Sequence, residues 1–496
     1  MPDTTPSAPA QDPTLNPALR SWHPPAQDPA LGTPIQHLPL CLYIDPADSA
    51  GSQGHPTPHA PPGPPRPKPG VVIGDSVLDL DLLVHSGFTA DLDQSTLQAL
   101  HAVLHQTSLT FLMMHHELLP AVRRFAQAFL VDGPPPGQQA RRLRTKALRP
   151  LAEVGLSVPA RVGDFTDFYA SIHHARTVGS MFRPDSPLLP NYQHVPIAYH
   201  GRSSSVVVSG TTIVRPRGQI RPEAPATTPP PSSPQPPSAP AHPAPVYAPT
   251  ERLDYEAELG CLIGGVGPLG ATVPIAQAHQ RIFGLCLVND WSARDIQAWE
   301  YQPLGPFLAK NFATSVSPWI TTRPVLELFR VPGPARAPED PAPLDYLTPA
   351  PPNADWALDI AIEALILTAQ MRQRGLPPHP LATSNTRDLY WTLPQMIAHH
   401  TSGGCPLIPG DLIATGTVSG PGDSERGCLL ELTWRGRGPD GSPRPRQPIA
   451  LPSGEARLFL QDGDEVILRG WATPGRASGL PRLSLGEVRG VIAPAP

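Results

Sequence analysis

The chain has 496 residues, 72 of them proline and 41 glycine, with 37 basic against 42 acidic side chains and a formal charge of −5. Proline stands at about three times its usual ~5% share, yet 40% hydrophobic residues and eight tryptophans suffice for an ordinary core. The near-neutral balance excludes a polyanion-binding stripe, and no run approaches the ~18 apolar residues of a membrane span. MPDTTPSAPAQDP has neither a basic n-region nor an apolar h-region, so no secretory leader is expected. Cys41, Cys261, Cys286, Cys405 and Cys428 lack any CxxC spacing and are expected to be reduced, mostly buried thiols of a cytoplasmic protein.

Residues 1–33 are rich in Pro, Ala and Asp without periodicity and are expected to form a disordered tail. IQHLPLCLY (35–43) predicts a strand, followed by a proline-rich loop over 46–69. VVIGDSVLDLDLLV (71–84) predicts a β-hairpin turning at Gly74-Asp75. Residues 94–131 have apolar spacing for at least two helices, and this first unit ends near 158. From 159 onward, short β-prone runs such as SSVVVSG, LDIAIEALIL and ARLFLQDGDEVILRGW predict a β-rich sandwich or roll. A proline-rich insertion at 222–249 and an irregular connection at 435–455 interrupt it.

Chemistry is carried by three segments. In DYEAELG (254–260), Glu256 and Glu258 lie two apart on a predicted strand and share a face; such a pair is either solvated or bridged by a cation. In LVNDWSARDIQAWEY (287–301), an apolar strand ends at Asp290, which stands where an N-cap would start a helix. Arg294, Gln297 and Tyr301 then fall on one face of that helix, either as a pocket wall or as an ordinary capped helix with a local ion pair. Carboxylate oxygens would favour Mg2+ or Ca2+ over zinc. GDFTDFYASIHHARTVGSMFR (163–183) is dense in Asp, Tyr, His and Arg, and periodicity does not say whether His173 or His174 points inward. The doublets His115-His116 and His399-His400 read as partly exposed helix residues. GTVSG (416–420) has the wrong spacing for a serine elbow, and no phosphate-loop, zinc-protease or dinucleotide motif is present.

The runs DFTDFYASIHHARTVGSMFR, LLPNYQHVPIAYHGRSSSVVVSGT, RLDYEAELG, IFGLCLVNDWSARDIQAWEYQPLGPFLAKNFATSVSPW, DLYWTLPQMIAHHTSGGCPLIPGDLIATGTVSG and LLELTW resemble the fumarylacetoacetase family in order and spacing. The resemblance covers residues 160–496 and extends weakly to PIQHLP and GVVIGD. It implies an α+β, β-rich fold: a small N-terminal SH3-like β-barrel domain with helices (34–158), then a C-terminal mixed β-sandwich roll (159–496). It implies His174 as general base and Glu431, on a strand, as the acid that orients it. Asp167, Glu256, Glu258 and Asp290 are implied cation ligands, with a second, structural cation associated with Asp290, Lys310 and Thr314. Arg294, Gln297 and Lys310 are implied oxyanion donors; Tyr169, Arg183, Tyr199, Gln297, Tyr301 and Thr417 are implied substrate contacts.

The implied reaction is hydrolysis of a carbon–carbon bond of 4-fumarylacetoacetate, giving fumarate and acetoacetate in tyrosine and phenylalanine breakdown, with Ca2+ or Mg2+, by a cytoplasmic homodimer engaging no nucleic acid or membrane. Two other readings stay open: a related acylpyruvate or fumarylpyruvate hydrolase, and a non-catalytic scaffold offering PSSP (231–234) and PQPP (234–237) to proline-binding domains. Two positions depart from the family pattern. Ala313 replaces a usual glycine and would be strained if the backbone needs positive φ there, and Asn311 replaces a small serine.

Overall fold

The computed structural model describes residues 12–47, 66–133, 137–222, 244–350 and 356–496. In the N-terminal unit, β1 (Leu40–Ile44), β2 (Lys68–Ile73), β3 (Ser76–Asp79), β4 (Leu148–Pro150) and β5 (Gly155–Ser157) form antiparallel ladders in the order β4-β3-β2-β1-β5. The β2–β3 hairpin turns at Gly74, whose φ of 57° explains the glycine. Its second strand is shorter than expected. Asp79 accepts a bond from the Leu82 amide and starts α1 (Leu80–His85), so the alternation of VLDLDLLV gives way to a helix. The predicted helical region resolves into α2 (Gln94–Leu104), α3 (Thr110–Met114) and α4 (Leu119–Leu130).

Two expectations for this unit are corrected. Residues 12–33 are not a loose tail but a strap over α4. Gln127 donates to the Thr14 carbonyl at 2.8 Å, and Trp22 Nε1 donates to the Phe129 carbonyl at 2.7 Å. Irregular backbone leaves no periodic signal, yet side-chain bonds from a neighbouring helix hold it. The expected barrel is not closed, because β1 gives one edge both to β5 and to Trp319–Ile320 of the second unit, while no ladder joins β4 to β5 among the described residues. The loop at 48–65 and the insertion at 223–243, with both PxxP motifs, lie outside the described residues. The last residues assigned to that insertion, Val246–Pro249, form a ladder with Arg217–Ile220.

The second unit contributes β6 (Phe165–Phe168), β7 (Ala198–Gly201), β8 (Val206–Val208), β9 (Ala257–Ile263), β10 (Ile282–Asp290), β11 (Thr314–Val316), β12 (Trp319–Thr322) and later β15 (Leu412–Ala414) to the same sheet. A thirteen-stranded sheet therefore runs β4-β3-β2-β1-β12-β10-β9-β15-β6-β7, with β11 on β10 and β8 on β11. A second, five-stranded sheet has β13 (Ile360–Leu367), β14 (His379–Asn385), β16 (Glu465–Ala472) and β17 (Leu483–Ala493), with Ile213–Val214 at its edge. The β-rich α+β class holds.

Strand period then decides what each face does. Leu259, Cys261, Ile263, Leu285 and Leu287 join the core against the five-stranded sheet. Phe165, Leu262, Cys286, Val288, Leu412 and Ala414 face the other way, into the core filled by α2–α4. Asp167, Glu256, Glu258 and Asp290 share parity with this second set. Every residue of β9 and β10 is buried, as expected for strands covered on both faces.

Beyond β15 the chain turns at Gly416, where φ is 74° and an added Cβ would stand 2.1 Å from the Phe168 carbonyl oxygen. Gly416→Ala is expected to cost more than the ~1–2 kcal/mol of a left-handed backbone alone, because the end of β6 must also move. A denaturant midpoint equal to that of the unsubstituted chain would refute this.

Candidate active site

Adjacent strands bring four acids together. Asp290 ends β10, Glu258 lies in β9 with Glu256 just before it, and Asp167 lies in β6. One carboxylate oxygen from each lies within 4.8 Å of those of the others, and all four residues are buried. Register supplies their neighbours. Thr314 is the cross-strand partner of Asp290 and donates to Oδ1 at 2.6 Å. Tyr199 is the partner of Asp167 and donates to Asp290 Oδ2 at 2.8 Å. The Lys310 ammonium lies 2.9 Å from both Glu256 Oε1 and Asp290 Oδ2. It has no lone pair, so its side chain acts here as a counter-charge and not as a ligand. Asp290, Lys310 and Thr314 thus meet through ion pairing and hydrogen bonding.

The solvated-face reading of Glu256 and Glu258 is excluded, since Glu258 is wholly buried and neither of its oxygens has a hydrogen-bond partner. Asp167 Oδ1 is likewise unpartnered. Burial and the neighbouring Asp290 push the Asp167 carboxyl well above the usual range. Burial and Asp167 do the same to Glu258. Glu256 goes the other way: burial opposes its charge, but Lys310 and Arg294 outweigh that and hold it well below the usual range. Counted with Asp254, which shares Arg294, five buried acids face the two cations Lys310 and Arg294, a formal surplus of three negative charges. Unpartnered buried oxygens and an all-oxygen donor set fit a divalent cation.

Asp290 does not cap the following helix. Ser292 and Ala293 pair with Asp254 and Leu253, so the chain stays extended until α6, Arg294–Glu300, whose N-cap is Ala293. That delay places Arg294 against Asp254 (Nε to Oδ2, 2.9 Å) and Glu256 (Nη1 to Oε1, 2.6 Å). Gln297 Oε1 accepts a 3.2 Å bond from the same guanidinium. Ser292 donates to Glu256 Oε1 at 2.8 Å.

Of the histidine doublet, His174 is buried, with Nδ1 2.6 Å from Glu431 Oε2, while His173 is half-buried. His174 sits in α5 (Ile172–Phe182), capped by Ser171, whose hydroxyl accepts from the His174 amide. Glu431 is not on a strand. It lies in α7, the short helix Leu429–Leu432, whose Leu429 and Leu430 amides donate to Asp254 at 2.8 and 2.9 Å. Periodicity cannot separate helix from strand in so short an apolar run. Ser419 and Cys428 also donate to Glu431 Oε2, at 2.7 and 3.3 Å. Burial works against the Glu431 charge, but His174 and these donors hold its carboxyl below the usual range.

Tyr169 stands edge-on to His174 with ring centres 5.3 Å apart, and burial raises its phenol. Tyr301 packs 6.0 Å from Phe182, next to Arg183, whose Nε is unpartnered; the buried Thr417 hydroxyl is also unpartnered. Ala313 lacks positive φ, so the strain foreseen there does not arise. His400 bonds Thr166 and His399 bonds Tyr346. Sequence reasoning missed Asp254, Ser292, Ser419 and Cys428. The first was visible as a third acid at period two in DYEAE, whereas the others carried no signal.

Two family models match the chain: Fumarylacetoacetase N-terminal over residues 60–159 and Fumarylacetoacetate (FAA) hydrolase C-terminal over residues 164–484. The fumarylacetoacetase of Arabidopsis thaliana is 38% identical over 465 residues, covering 93% of this chain and 96% of that protein. Those of Bos taurus and Homo sapiens are each 40% identical over 435 residues, covering 87% of this chain and 93% of theirs. A solved fumarylacetoacetate hydrolase from Exiguobacterium antarcticum is 15% identical, covers 92% of this chain and 99% of its own, and has a TM-score of 0.45.

Asp254→Ala removes the partner of a buried guanidinium and both amide acceptors of α7. It is expected to lower stability by about 3–5 kcal/mol by chemical denaturation, and a loss within error of zero would show that Glu256 alone satisfies Arg294. Because the Glu431 carboxyl is held low, its ionic contribution is complete above the range where an unfolded glutamate titrates, near pH ~4.3, and fades below it. Melting of Glu431→Gln should fall short of the parent at pH 7, with the gap narrowing as pH drops through that range. A constant gap would contradict this.

Proposed function

The chain belongs to the fumarylacetoacetase family, and we propose that it hydrolyses 4-fumarylacetoacetate to fumarate and acetoacetate. The observation that carries this reading is the buried His174–Glu431 pair together with the cluster of four buried carboxylates. Glu431 accepts a hydrogen bond from Nδ1–H, which fixes the tautomer so that Nε2 keeps its lone pair and can remove a proton from water. Water then attacks the carbonyl beside the bond to be broken, and the second ketone of the diketone accepts the electron pair as an enolate. Lys310, Arg294 and Gln297 are the donors for the developing oxyanion; one such donor is worth roughly 3–4 kcal/mol. Asp167, Glu256, Glu258 and Asp290 would hold a divalent cation, which when bound supplies Lewis-acid charge to substrate oxygens. Tyr169, Arg183, Tyr199, Tyr301 and Thr417 are proposed to position the substrate.

Hard oxygen donors support Ca2+ or Mg2+. Five free thiols support the cytoplasm. Among the described residues no helix is long and apolar enough to cross a membrane. Exposed Leu304, Phe307 and Leu308 support a homodimer. The family-model boundary supports dividing the chain near 158–164.

The test is loss of fumarylacetoacetate absorbance with purified protein, with and without EDTA, beside His174→Ala. Turnover is expected in the metal-replete chain, lost on chelation and reduced at least ~10²-fold in the variant. No turnover by the metal-replete chain, with turnover of an acylpyruvate instead, would move the assignment to that substrate.

A further inference from the structure

The N-terminal unit carries a second convergence of metal-ligating side chains, built from nitrogen where the carboxylate group is built from oxygen. Asp81 and His85 are i,i+4 on α1, and His101 and His105 are i,i+4 at the C-terminal end of α2. That spacing stacks each pair on one helix face, one turn apart, and α1 packs against α2. The two faces meet. His105 Nδ1 lies 2.9 Å and His85 Nδ1 3.2 Å from the same oxygen, Asp81 Oδ1, and His85 Nδ1 lies 2.7 Å from the Asp81 backbone carbonyl. Ligand atoms of Asp81, His85 and His105 all lie within 4.8 Å of one another. The ring of His101 stands edge-on to that of His85, with centres 4.8 Å apart.

We propose that Asp81, His85 and His105 form a zinc-class cation site that clips α1 to α2, independent of the carboxylate site. In the metal-free chain His85 Nδ1 bonds the Asp81 backbone carbonyl at 2.7 Å and His105 Nδ1 bonds the Asp81 carboxylate at 2.9 Å. A cation bonded at about 2.0–2.2 Å to each of the three atoms in tetrahedral geometry holds them about 3.3–3.6 Å apart. The 2.9 and 3.2 Å contacts therefore open slightly, and His85 Nδ1 exchanges its bond to the Asp81 carbonyl for the ion. His101, or a water, completes four-coordination. Imidazole donors select Zn2+ over Ca2+ and Mg2+, which prefer oxygen, so the two sites draw on different ions. His85 and His105 are exposed and Asp81 only half-buried, so the ion can enter directly from solvent.

The experiment is equilibrium dialysis of the full chain against ZnCl2 with Mg2+ in excess to occupy the oxygen site. The His85→Ala/His105→Ala variant is run in parallel, and both proteins are melted with zinc and with EDTA. The unsubstituted chain should bind one saturable zinc equivalent and melt higher with zinc. The variant should lose that equivalent, or bind it more than tenfold more weakly, and lose the zinc-dependent shift. Equal melting in EDTA checks that the variant folds; should it melt lower, the same comparison is made with His105→Gln. No saturable zinc in the unsubstituted chain, or an equal equivalent in the variants, would overturn the proposal. Neither readout uses turnover, so the outcome is separate from the proposed hydrolase activity.

Discussion

Four carboxylates crowded onto one buried sheet face cannot all ionise unaided. Acid oxygens within 4.8 Å of one another repel by roughly 3–4 kcal/mol per ionised pair at an effective dielectric of ~20. Lys310 and Arg294 offset part of this, and they do so unevenly. Glu256 touches both cations and stays charged, whereas Glu258 touches neither and is driven toward its protonated form. The site therefore has two well-paired carboxylates, Glu256 and Asp290, and two, Asp167 and Glu258, with unpartnered oxygens open to a cation. Much of the surrounding structure serves to hold this unfavourable arrangement.

The holding is done by the sheet. The acids occupy the same face as Phe165, Leu262, Val288 and Leu412, whose side chains bury against the helices of the N-terminal unit. Displacing β9 by one residue would move Glu258 to the opposite face and Leu259 into the acid cluster, so the apolar core and the acid site specify one register together. The N-terminal unit thus contributes to the site without placing a described residue in it: its helices keep apolar the face on which the acids lie.

Asp254 couples the two halves of the chemistry. One of its oxygens accepts Arg294 and an α7 amide, and the other accepts the second α7 amide. The guanidinium that neutralises Glu256 and the helix that carries Glu431 therefore share a single anchor. A shift in α7 moves the partner of His174 and the partner of Arg294 at once.

The β-rich class, the Gly74 hairpin, the helices of 94–131 and the shared face of Glu256 and Glu258 were legible because each depends on a local period of 2 or 3.6. Family motifs further singled out His174, Glu431, Lys310 and Thr314 by resemblance. Periodicity could not show that residues 12–33 are strapped to α4, that β1 joins the second unit in place of closing a barrel, or that Glu431 rides a helix. Nor could it show that Asp290 ends a strand without capping α6. Each of these turns on partners far away in the chain: Gln127 for Thr14, Trp319 for Cys41, and Asp254 for Arg294 and Leu429. Sequence by itself determined which faces are apolar and which groups are acidic or basic. Tertiary structure alone decided which charges meet, because the free energy of a buried charge depends on the distance to its counter-charge, and no local pattern encodes that distance.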